Sequence, residues 1–114
     1  VWVALDLVYR HHDPGTCYGL KASDGSAAAG RRPGGSCWCV TDFKTGAAAP
    51  AEEALQLAVY ALALEAAGLA MTDGVYLGRV VNLRTRAEAW YALGPADLAR
   101  ARAVVLADVG RQLA

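Results

Sequence analysis

The triplet Asp42-Phe43-Lys44 carries the clearest chemical signal in the chain. On a β-strand, residues two apart share a face. Asp42 and Lys44 are therefore expected to project together, with Phe43 turned the other way into apolar packing. A third charge, Asp6, interrupts the apolar run Val1 to Arg10. A carboxylate in such a run must be paired, metal-bound or turned to solvent. If the two segments pair so that Asp6 opposes Asp42, two carboxylates and one ammonium converge on a small volume. Two close carboxylates repel unless a cation lies between them, and Mg²⁺ or Mn²⁺ suits hard oxygen donors. Such an ion lowers the pKa of a bound water and neutralises charge building on a phosphoryl group. Lys44 then has an electrostatic role beside it. Alone, an Asp and a Lys two apart are more often a solvated surface pair; the argument rests on several features occurring in order.

The elements that must position these residues are legible. Val1 to Arg10, with β-branched and aromatic residues, predicts a strand, and Cys37 to Lys44 a second one ended by Thr45-Gly46. The two are expected to pair as an antiparallel hairpin. His11 to Ser36 is rich in turn residues (Asp13-Pro14-Gly15, Asp24-Gly25, Pro33-Gly34-Gly35) and predicts an exposed, mobile loop with a short strand near Tyr18 to Lys21. Pro50 to Ala67 predicts a helix, opened by Pro50, with Glu52 and Glu53 at the positive end of its dipole and Gly68 closing it. Leu55, Leu57, Val59, Leu62 and Leu64 cover most of its circumference, so deep burial is expected. Glu52, Gln56 and Tyr60 fall at four-residue steps and form one polar stripe. Asp73-Gly74 is a turn, followed by strands at Val75 to Leu83 and Glu88 to Leu93. Gly94-Pro95 opens a final helix to about Leu113, with Leu98, Val105, Leu106 and Val109 as its core face. The order strand, strand, helix, strand, strand, helix predicts an α/β domain with a mixed central sheet and flanking helices.

With these elements in order, the residues resemble a known family. Asp42-Phe43-Lys44-Thr45-Gly46 is similar to the D-[FY]-K-T-[GD] signature of the PD-(D/E)XK nuclease superfamily, and within it to the RecB and AddA type of helicase-associated nuclease domain. Leu5-Asp6-Leu7-Val8-Tyr9-Arg10 resembles the aspartate strand that precedes the signature, and Gln56 to Tyr60 matches the Q-x-x-x-Y helix motif that follows it. The resemblance spans residues 1–114, with its specific part between Asp6 and Tyr60. It implies a restriction-endonuclease-like core and a Mg²⁺- or Mn²⁺-dependent DNA nuclease, an exonuclease on single-stranded DNA, joined to the remainder of a helicase–nuclease protein in recombination and repair. It implies metal ligation by Asp6, Asp42 and the Phe43 backbone carbonyl, a catalytic Lys44, and substrate positioning by Gln56 and Tyr60. The family's N-terminal helix ahead of the first aspartate strand is absent, Val3 stands where a glycine is common, and the loop His11 to Ser36 is longer than usual.

Composition sets the bounds. The chain has 114 residues, 55% of them apolar and 19% charged, which suits one domain with a filled core. No apolar run spans a membrane and no secretory leader is visible, so the cytoplasm is the expected compartment. Formal net charge is zero, whereas a free-standing DNA binder usually has a basic excess. That balance keeps a second reading open, a nuclease fold retained as a silent DNA-binding or scaffolding module. A sequence-specific restriction-type endonuclease is a third, with no base-reading element to favour it. His11, His12, Cys17, Cys37 and Cys39 lack zinc or iron–sulfur spacing, and buried inert cysteines are expected. Arg31, Arg32, Lys21, Arg84 and Arg86 are read as solvated, and Trp38 and Trp90 as core.

Overall fold

The computed structural model describes residues 7–11, 20–22, 25, 35–46 and 48–113. Asp6, His12, Cys17, Arg31 and Arg32 lie outside the described residues. The elements run β1 (Leu7–His11), β2 (Cys37–Lys44), α1 (Pro50–Ala66), β3 (Tyr76–Asn82), β4 (Glu88–Leu93) and α2 (Pro95–Leu113), in the predicted order. They form an α/β fold with one four-stranded mixed sheet, ordered β1-β2-β3-β4. β1 and β2 are antiparallel, with Leu7 opposite Thr41 and His11 opposite Cys37. β2 and β3 are parallel, linked through α1, and β3 and β4 are antiparallel.

The twofold alternation of strand side chains sorts the core into two clusters. On one face, Val40, Tyr76, Val80, Tyr91 and Leu93 meet Ala54, Leu57, Ala58, Ala61 and Leu64 of α1 and Leu98 and Ala101 of α2. Both helices therefore cover the same face. On the other, Cys37, Cys39, Val75, Leu77 and Ala92 pack with Leu20. The segment expected to be an exposed loop supplies that leucine, which is 3% exposed. Lys21 donates its backbone N–H to Trp90 and accepts from Ala92, so the segment pairs with the outer edge of β4. The short strand expected near Tyr18 to Lys21 is represented among the described residues by this one bridge, whereas the burial of Leu20 against the second sheet face was not expected.

Three further expectations change. α1 buries one side rather than most of its circumference: Leu55, Val59 and Leu62 are only partly buried, while the side that meets the sheet and α2 is buried. Alanines supply the flat contact instead. On α2, Leu98 is buried and Val105 and Val109 are partly buried, but Leu106 turns outward and is 65% exposed. Phe43 is 39% exposed rather than packed. It follows Cys37 and Cys39 on the second face but lies beyond that cluster, at the end of β2. Trp38 and Trp90 are half-buried at the margins of the two clusters, each beneath an arginine, Arg10 and Arg79.

The joints follow local rules. Pro50 starts α1, and Gly68 at φ +79° ends it in a left-handed turn. At the start of α2, Asp97 accepts the Gly94 N–H at 2.8 Å, the reach-back half of a capping box. Asp73 and Gly74 both take positive φ in the tight turn before β3.

Candidate functional site

β2 holds the candidate site because it is where the sheet changes sense, antiparallel to β1 on one side and parallel to β3 on the other. Crevices at the carboxyl ends of parallel strands, beside such a switch, are where α/β sheets bind ligands. Asp42 and Lys44 occupy that end. Alternation puts both on the helix-covered face, in line with buried Val40. Asp42 is only 5% exposed. Lys44 Nζ lies 3.5 Å from Asp42 Oδ2.

The polar stripe of α1 completes the arrangement. Lys44 Nζ donates to Gln56 Oε1 at 2.8 Å, and Gln56 Nε2 donates to the Tyr60 hydroxyl at 3.0 Å. Four residues that sequence reasoning singled out are thus joined in one chain of contacts, Asp42–Lys44–Gln56–Tyr60. Its order is physical: the lysine bridges the sheet carboxylate to the helix amide, and the one-turn spacing of Gln56 and Tyr60 passes the contact along the helix. Glu52, the first member of the stripe, is exposed.

The backbone around Lys44 is anchored. Leu83 N–H donates to the Lys44 carbonyl at 2.7 Å. Carbonyls alternate in direction along a strand, so the Phe43 carbonyl turns toward the β1 side of β2. Asn82 Nδ2 donates to the Gly46 carbonyl at 3.1 Å, while its Oδ1 accepts the N–H groups of Arg84 and Thr85. Asn82 therefore ties the Lys44–Gly46 exit to the β3–β4 turn. Sequence reasoning passed over it, although an Asn followed by Leu-Arg-Thr between two strands is a turn-forming signal.

Two other residues missed from sequence set the height and tilt of α1. Gly78 lies beneath Leu57, where a Cβ would come within 2.8 Å of Leu57 Cδ1. Tyr91, fully buried, donates its hydroxyl to Glu53 Oε1 at 2.7 Å. Burial, and then that bond to a carboxylate, push the Tyr91 pKa up. Both contacts lie within one turn of Gln56.

Asp6 lies outside the described residues, and the described β1–β2 ladder ends one position short of it, at Leu7 opposite Thr41. Among the described residues, no group of three or more His, Cys, Asp or Glu side chains is placed to hold a metal ion. Cys37 and Cys39 are buried free thiols, and burial raises the Cys37 pKa. No helix among the described residues is long and apolar enough to cross a membrane. No protein-family model, curated protein or solved structure matches the chain.

Proposed function

We propose that the chain is the nuclease core of a DNA-processing protein, hydrolysing phosphodiester bonds of single-stranded DNA with Mg²⁺ or Mn²⁺. The observation that carries this reading is the contiguous chain Asp42–Lys44–Gln56–Tyr60 at the carboxyl end of the parallel strands. An ammonium held between a buried carboxylate and a helix amide is fixed in place before substrate arrives, the condition for electrostatic stabilisation of a charged transition state. The contacts run from a buried strand carboxylate out to the exposed helix amide and the Tyr60 hydroxyl, further than a lone Asp–Lys surface pair would extend.

The donors suit a hard divalent ion: a buried carboxylate in Asp42, with the Phe43 carbonyl on the adjacent edge of β2. The reading also needs Asp6. Asp6 immediately precedes the described start of β1, Leu7, which pairs with Thr41, the neighbour of Asp42. Asp6, Asp42 and the Phe43 carbonyl are then the proposed ligands. When bound, the ion supplies a water of lowered pKa and neutralises phosphoryl charge. Lys44 offsets the charge that develops on the phosphoryl oxygens. Gln56 holds the Lys44 ammonium on its path between strand and helix, and Tyr60 fixes the Gln56 amide. The remainder of a helicase–nuclease protein, in the cytoplasm, would deliver the strand.

The test is cleavage of an end-labelled single-stranded oligonucleotide in Mg²⁺ or Mn²⁺. Lys44→Ala and Asp42→Ala should each lower the rate by at least about 10²–10³-fold, with the thermal transition still cooperative. Cleavage by Lys44→Ala at the wild-type rate would overturn the reading. The zero net charge favours a second reading, a silent nuclease fold that binds or scaffolds DNA. That module would bind the oligonucleotide yet leave it intact.

A further inference from the structure

The β3–β4 turn presents two arginines beside the Lys44 end of β2. Leu83 bonds to the Lys44 carbonyl and Asn82 to the Gly46 carbonyl, so the turn is fastened to the exit of the site. Asn82 Oδ1 also holds the N–H groups of Arg84 and Thr85, and Thr85 Oγ1 accepts the Ala87 N–H. The turn is therefore internally fixed although Leu83 through Glu88 are exposed.

Two observations about the arginines point to a ligand. Arg10 is bonded to the Ser36 carbonyl, and Arg79, Arg100, Arg102 and Arg111 each pair with a carboxylate. Arg84 and Arg86 form no ion pair among the described residues, and the nearest acid in the chain, Glu88, is engaged by Arg79. Arg86 also has φ +63°, a left-handed conformation that favours glycine or asparagine. At Arg86 a cationic side chain therefore stands at the tip of the turn on a backbone that arginine rarely adopts.

We infer that Arg84 and Arg86 grip backbone phosphates of a single-stranded nucleic acid, flanking the bond presented to Asp42 and Lys44. The inference rests on the nuclease reading for its choice of ligand. It gives the neutral chain two positive charges beside the site that form no ion pair among the described residues. Guanidinium groups suit phosphate oxygens through paired N–H donors.

Anisotropy of a fluorescein-labelled single-stranded oligonucleotide, titrated with the full chain in EDTA, tests this without any hydrolysis. Each phosphate contact on a single strand adds about 0.7 to the salt slope of log K. The Arg84→Gln, Arg86→Gln double variant should lower that slope by about 1.4, and weaken binding about 25-fold at about 0.1 M salt. Arg86→Gly should weaken binding about fivefold while leaving the melting temperature unchanged or higher, because glycine accepts the positive φ. An abasic sugar–phosphate strand should show the same losses. An unchanged slope in the double variant, a loss seen only with bases present, or no binding by wild type would each overturn the grip. The nuclease reading would be judged separately, by the cleavage assay on Lys44→Ala.

Discussion

Replacing Gly78 by alanine tests how closely α1 is set onto the sheet. The added Cβ would lie 2.8 Å from Leu57 Cδ1, 3.2 Å from Leu57 Cβ and 3.1 Å from Leu93 Cδ1. Carbon atoms pack best at about 3.5–4.0 Å. Rotating Leu57 moves only its Cδ1, and both leucines are fully buried, so the helix must also lift by several tenths of an ångström. Overpacking of this kind costs about 1–3 kcal/mol. Alanine recovers about 0.5–1 kcal/mol of that, because glycine is the more disordered residue in the unfolded chain. The net loss is about 0.5–2 kcal/mol. For 114 residues, at roughly 2.1 cal/mol/K each, the unfolding entropy corresponds to about 4 °C per kcal/mol, so the midpoint should fall by roughly 2–8 °C. Leu57 adjoins Gln56, so the same lift lengthens the 2.8 Å Lys44–Gln56 bond, and cleavage should slow together with the loss of stability. Circular dichroism melts with parallel rate measurements give both numbers. An unchanged or raised midpoint would refute the reasoning, since the helix would then have room for a methyl group.

Other outcomes follow from particular contacts. Asp97→Ala removes the carboxylate that holds the Gly94 N–H and pairs with Arg100, and should destabilise by about 1–2 kcal/mol in urea denaturation. Tyr91→Phe loses the bond to Glu53, worth about 0.5–1.5 kcal/mol, and should loosen the first turn of α1 in hydrogen exchange. Burial, followed by a hydrogen bond with Cys39, pushes the Tyr9 pKa up to about 12, and burial raises Tyr76 and Tyr91 as well. The folded state then keeps phenol protons that the unfolded chain releases. Stability should be complete below about pH 10 and fall as pH rises from there toward 12, as followed by urea midpoints and tyrosinate absorbance. In a Cys17→Ser background, buried Cys37 and Cys39 should react with a thiol reagent only as fast as the protein opens; immediate labelling of that native variant would contradict their packing.

The sequence was most informative where a period or a breaker residue fixed the geometry. Pro50 and Gly68 bracket α1, Asp73-Gly74 marks the turn into β3, and Gly94-Pro95 opens α2. The twofold period put Asp42 and Lys44 on one face, and the four-residue step put Gln56 and Tyr60 on one stripe. That these two pairs touch depends on the β2–α1 connection, which carries no such period. What sequence reasoning missed depends on contacts across the fold. Leu20 reaches the second sheet face from a stretch where a short strand was expected, but nothing local said which surface it would cover. Gly78 matters only because Leu57 descends onto it, and Phe43 is exposed because the second cluster ends before it.

On the proposed function, Asp42 beside Lys44 would help seat one divalent ion. Electron paramagnetic resonance of free Mn²⁺ during titration with metal-stripped protein measures this directly. Wild type should show one saturable site, lost in Asp42→Asn and retained in Lys44→Ala. Equal Mn²⁺ uptake by wild type and Asp42→Asn, or no uptake by either, would contradict it.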